Sequence, residues 1–199
     1  MIKNILAGIV FASVSFSAHA LPIVNGSFET GNFSGWSVNS SSGGNSSVVT
    51  NNAGFTATDG NYFANLSANS LVSQSISWSA GDILSFDWNF NANDYLPYND
   101  YAIFQTTNLL GDILSNITLA NVASAGNFNA TGWNTFSYTF ETSGSGFLGF
   151  GVYNALDTGY DSQLYIDNVS AVSVPEPGVV ALLALGLLGF SLSRRRSNG

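Results

Sequence analysis

The chain has 199 residues, a formal net charge of -8 and no cysteine. Its four basic residues, Lys3, Arg194, Arg195 and Arg196, stand at the two ends, whereas eleven of the twelve acidic residues fall between positions 21 and 174, where there is no Lys, Arg or His. Such a middle region repels phosphate backbones and excludes nucleic acid as a partner, and it lacks the thiol, amine and imidazole groups of disulfides, Schiff bases, Ser-His-Asp triads and the usual zinc sites.

From the N-terminus, Lys3 is followed by an apolar run over 5–16 and by Ala18 and Ala20 around His19. This is the pattern of a secretory signal peptide, 1–20, with an Ala-x-Ala cleavage site after Ala20. Export through the Sec translocon and trimming by signal peptidase are expected. Without a cysteine there is no lipoprotein anchor, and stability must come from a core or from bound ions. Residues 21–173 suffice for one core, and one domain is expected there.

The domain reads as strands. Leu84, Phe86, Trp88 and Phe90 alternate with Ser85, Asp87 and Asn89, and Phe136, Tyr138 and Phe140 alternate with Ser137 and Thr139. Short runs of the same kind fall at 48–50, 62–66, 71–78, 101–105, 113–120, 147–153 and 164–172, separated by Gly, Asn, Ser and Asp, which favour turns. One-faced sheets must bury their apolar side against another sheet, so the expected fold is all-β, an antiparallel jelly-roll β-sandwich. The Ser, Asn and Gly stretch at 37–47 reads as a solvated loop.

Two acidic, aromatic stretches, 93–100 and 157–161, stand out. Tyr95, Tyr98 and Tyr160 suit stacking on sugar rings, with Asp100 and neighbouring amides bonding hydroxyls. The same acids suit a second cation, and the same tyrosines suit ordered loops packed on a sheet edge. A glycosidase would need two carboxylates flanking a cleft, and no carboxylate is set apart as the acid, so the domain is read as non-catalytic. The four tryptophans read as core or sheet-packing residues.

The tail is Val-Pro-Glu-Pro, then an uncharged apolar run over 178–192, then three arginines. At ~1.5 Å per residue that helix covers about 23 Å, short of the ~30 Å hydrocarbon core but sufficient for a short transmembrane helix if the arginines snorkel. Motif, helix and basic end together resemble the PEP-CTERM sorting signal, with Pro175, Glu176 and Pro177 as its motif and Arg194, Arg195 and Arg196 as its end. The resemblance implies processing by an exosortase in a Gram-negative bacterium that makes exopolysaccharide. The protein would be anchored in the inner membrane in transit, then placed at the cell surface or in the extracellular matrix.

A second resemblance lies at the domain ends. The opening Ile23-Val24-Asn25-Gly26-Ser27-Phe28-Glu29 with Gly35-Trp36, and the closing Leu164-Tyr165-Ile166-Asp167-Asn168-Val169, resemble the first and last strands of galactose-binding-like jelly rolls, the carbohydrate-binding modules of xylan- and glucan-active enzymes. That resemblance implies adjacent terminal strands holding a structural Ca2+, with Glu29 and Asp167 as its ligands. Asp59 is either a third ligand or a turn former. Independently, Asp167 inside an apolar strand calls for a cation or for a place on the solvent side, and no basic residue is there to pair with it. The sequence thus points to an exported surface protein that binds carbohydrate, exopolysaccharide foremost, with calcium stabilisation. The alternative is a structural or adhesive biofilm matrix protein with no ligand.

Overall fold

The computed structural model describes residues 20–21, 23–41, 43–174 and 186–187. The signal peptide up to His19, the motif Pro175, Glu176 and Pro177, the three arginines and nearly all of the expected membrane helix lie outside the described residues. Among those described, no helix is long and apolar enough to cross a membrane.

In chain order the strands are β1 (Ala20–Leu21), β2 (Ser37–Ser40), β3 (Ser46–Val49), β4 (Asn51–Asn52), β5 (Phe55–Thr56), β6 (Phe63–Ser67), β7 (Ser70–Trp78), β8 (Ile83–Asn91), β9 (Tyr101–Asn108), β10 (Ile113–Asn121), β11 (Asn134–Thr139), β12 (Gly144–Tyr153) and β13 (Gln163–Val172). One short helix, α1 (Val122–Ala125), follows β10. Two antiparallel sheets result, one ordered β11-β8-β13-β6-β3 with β1 added to β13, the other ordered β10-β9-β12-β7-β2, beside a small β4-β5 hairpin. This is the expected jelly-roll β-sandwich.

Period-two alternation sends Leu84, Phe86 and Phe90 of β8 inward, where Phe86 meets Phe104 of β9 at 5.2 Å and Phe150 of β12 at 4.7 Å. Edge and tilted contacts of this kind add to the burial of each ring. Trp36 and Trp78 are buried in that core, and Trp88 packs against it. A smaller aromatic group covers the other face of the first sheet: Phe63, Tyr165 and Trp133 lie within 5.4 to 6.4 Å of one another, with Phe55 6.0 Å from Tyr165.

Two expectations are corrected. The stretch at 37–47 is not wholly a loop, because Ser37–Ser40 pairs with β7 and Ser46–Val49 with β6. β2 is exposed throughout, so backbone pairing rather than an apolar stripe makes it a strand. The opening motif, expected as the first strand, is a series of turns over 23–35, with Asn25 and Phe28 in the left-handed region at φ 52° and 56°. It still lies against the last strand. The Val169 N–H donates to the Gly26 carbonyl at 3.0 Å, at the bulge that interrupts β13 between Asp167 and Ser170.

Candidate ligand-binding site

Three loops meet at the end of the sandwich where β13 begins: 92–100 between β8 and β9, 126–130 after α1, and 154–162 between β12 and β13. The first two are joined through their backbones, with the Phe128 N–H donating to the Asp94 carbonyl at 2.9 Å and the Ala92 N–H to the Asn129 carbonyl at 2.8 Å. Side-chain acceptors complete the seam, Asn127 Oδ1 taking the Leu96 amide at 3.1 Å and Asn99 Oδ1 the Ala123 amide at 2.8 Å. Asp100 ties in the third loop, its Oδ1 accepting from the Ala155 amide at 2.9 Å and its Oδ2 from the Ser162 amide at 3.3 Å.

A row of aromatic rings stands on this scaffold. Tyr98 meets Tyr95 edge-on at 5.3 Å, Tyr95 meets Phe128 at 5.5 Å, and Phe128 meets Tyr160 at 6.0 Å. Tyr95, Phe128 and Tyr160 are 38%, 59% and 67% exposed. Phe128 and Tyr160 also sit in the left-handed region, at φ 51° and 56°. That conformation costs a bulky L-residue roughly 1–2 kcal/mol, and such strain gathers where function requires it. The sequence had singled out Tyr95, Tyr98 and Tyr160, and the fold brings them together; Phe128 it had missed.

Asp100, expected among the sugar contacts, is fully buried. Burial raises its proton affinity, the Ala155 amide and the hydroxyl and amide of Ser162 act the other way, and the nearby charge of Asp94 raises it further. Its work is to hold the loops, not to face a ligand. Another aromatic pair stands on the second sheet, Tyr101 and Tyr153, 5.5 Å apart at 30°. Tyr153 lies over Gly151, where any Cβ would strike its ring. The alternating glycines of β12 were the available sign of that close approach.

The residues expected around calcium act on the turn 58–62. Asp167 is fully buried rather than on the solvent side. Its Oδ2 accepts from the Thr58 amide at 2.7 Å, the Asp59 amide at 2.9 Å and Thr58 Oγ1 at 3.1 Å, while its Oδ1 accepts from the Asn168 amide at 2.7 Å. Glu29 Oε1 takes the amides of Asn61 and Tyr62, both at 2.8 Å, and Asp59 Oδ2 takes the Ser27 hydroxyl at 2.6 Å. Asp87, opposite Asp167 on β8, accepts from Thr58 Oγ1, Thr135 Oγ1 and Asn168 Nδ2. Amide hydrogens therefore occupy the oxygens of Asp167 that face the turn. Among the described residues no three acidic side chains form an ion-holding group. The donor set fits a carboxylate clamp on the turn better than a calcium cage.

Fold and tail together give an antiparallel jelly-roll β-sandwich followed by a segment that matches a sorting motif. Residues 173–196 match the PEP-CTERM protein-sorting motif. That motif implies an exported protein, anchored in the membrane before an exosortase processes its tail. No curated protein matches the chain. Among solved structures, the domain is similar to TmCBM61, determined in complex with beta-1,4-galactotriose, at 18% identity and a TM-score of 0.51 over 76% of this chain and 97% of that one. It is also similar to the K3 cleaved adhesin domain of Lys-gingipain from Porphyromonas gingivalis W83, at 15% identity and 0.53 over 79% and 100%. The K1 domain of the same protein gives 14% and 0.52 over 80% and 100%. At these identities the likeness is one of fold.

Proposed function

We propose that the domain is a non-catalytic glycan-binding module, carried through export by its two end signals and released by an exosortase at the surface or into the exopolysaccharide matrix of a Gram-negative bacterium. The observation that supports it is the row Tyr98, Tyr95, Phe128 and Tyr160, exposed in all but the half-buried Tyr98, with Phe128 and Tyr160 on left-handed backbone. Flat apolar faces of this kind suit the C–H faces of sugar rings, and the surrounding amides suit hydroxyls. With no Lys, Arg or His in the domain, neutral or cation-bridged polymers are the fitting ligands.

The test is glycan-array binding of the purified chain, repeated with Tyr95→Ala and Tyr160→Ala. Retention of one glycan class, lost at least about tenfold in both variants at unchanged circular dichroism, is the expected result. Silence on a broad array, in calcium and in chelator alike, would leave the adhesive or structural matrix role in its place. The calcium implied at Glu29 and Asp167 is not required by this reading.

A further inference from the structure

The loops that carry the aromatic row also hold buried oxygen atoms with no basic side chain to offset them. Asp94 and Asp100 are both fully buried, and near enough that the charge of Asp94 acts on Asp100. Asp94 Oδ1 accepts the Tyr95 amide at 2.7 Å, but its Oδ2 is buried with no partner. Two further buried oxygens in these loops make no well-formed hydrogen bond. Ser162, itself fully buried, has its hydroxyl beside the Asp100 carboxylate, which it helps to keep ionised, though it makes no well-formed hydrogen bond. Asn154 spends its Nδ2 on Asp161 Oδ1 at 2.8 Å and leaves its Oδ1 empty-handed. Asp100 draws these residues together by accepting the amides of Ala155 and Ser162.

A buried carboxylate oxygen without a donor is strongly unfavourable, and no side chain of this domain carries the positive charge that would offset it. We propose that these loops form a binding site for a hard divalent cation of the calcium class, anchored by Asp94 Oδ2 and completed by the oxygens of Asp100, Asn154 and Ser162. The orphaned donors are carboxylate, amide and hydroxyl oxygens, with no nitrogen or sulfur, and calcium accepts such mixed and irregular oxygen sets. One divalent ion balances both carboxylates. A proton on one of the two aspartates is the competing occupant; it would leave the second buried carboxylate charged, whereas a divalent ion meets both. Only two acids contribute, which is why the site depends on neutral oxygens and why no three-acid group marks it. The inference stands apart from glycan binding. The ion's effect on the protein would be to stiffen the loops that carry Tyr95, Phe128 and Tyr160.

The test uses the full chain stripped with chelator, then titrated with calcium by calorimetry and with terbium by tyrosine-sensitised luminescence. Expected are one site with a Kd of roughly 10⁻⁴ to 10⁻³ M, as in extracellular calcium modules, a higher thermal midpoint in millimolar calcium, and terbium emission that calcium displaces. Asp94→Asn keeps the acceptor for the Tyr95 amide and removes the charge, and should weaken binding at least tenfold. Asn154→Ala, which leaves every carboxylate in place, should weaken it several-fold and covers the case in which the first variant misfolds. Glu29→Gln should bind as the unaltered chain does. The proposal is overturned by absent calcium heat together with a thermal midpoint that calcium does not move at any pH. It is equally overturned by Asp94→Asn binding normally, or by Glu29→Gln abolishing the site.

Discussion

Asp167 and Asp94 are both sealed from water, yet the fold treats them in opposite ways. Asp167 is met by three backbone amides and a hydroxyl, all but one from the turn 58–62, whereas Asp94 receives one amide and keeps an oxygen unpaired. The contrast teaches that a buried acid in a chain without bases is tolerated when backbone donors are wrapped around it. Where an oxygen of a buried acid is left without a donor, an external positive charge or a proton is called for.

The comparison breaks most sharply on removal of each carboxylate. Asp167→Ala strips the acceptor from three amides at about 1–3 kcal/mol for each left buried, so a loss of roughly 4 kcal/mol in urea unfolding is expected after partial hydration. Next in size is Gly26→Ala, whose Cβ would collide with the Val169 carbonyl where the opening turns dock on β13; overpacking of this kind should cost about 3 kcal/mol. By contrast, Asp94→Asn in chelator should leave stability unchanged or raise it by about 1 kcal/mol, because an unpaired buried charge is removed. If both aspartate variants lost several kcal/mol, the distinction between them would be wrong.

Two smaller effects sharpen it. Phe128→Asn, a residue that tolerates the left-handed region, should add about 1 kcal/mol of stability while lowering glycan affinity, so the two readouts should move apart. Burial raises both Asp100 and Asp167 above the ordinary 3.8, with Asp94 adding to the rise at Asp100. The folded state then holds these protons better than the unfolded chain does. Their stabilisation is whole below about pH 3.8 and fades as pH climbs through the raised values. In chelator the midpoint should therefore fall slightly between about pH 4 and neutrality, and calcium should flatten the share due to Asp100.

Much of the architecture was legible because burial on one side of a sheet writes itself into alternate residues. The run from Leu84 to Phe90 appears as the inward face of β8, and the separators appear as turns. β2 left no such trace, since Ser37–Ser40 buries nothing and is held by pairing alone. The opening motif misled because its apolar residues dock as turns, Phe28 reaching the core from a left-handed backbone. At the site, tyrosines grouped in sequence were found grouped in space. Phe128 was not, because it stands alone in a Gly-Asn-Phe-Asn stretch and joins the row only when its amide bonds the Asp94 carbonyl. The roles of Asp94 and Asp100 were hidden for a similar reason: exposure is a property of the folded loops, and composition shows only that acids are present.

The direction of β13 has a further consequence. Its ten residues start beside Ser162, at the loops bearing the aromatic row, and end at Val172, next to the segment that continues into the sorting motif. At ~3.3 Å per residue that strand is about 30 Å long, so while the tail is still embedded the rings stand at the far pole of the domain. On the proposed function, a domain held by its tail would turn its aromatic edge away from the point of attachment and could meet polymer before the tail is processed.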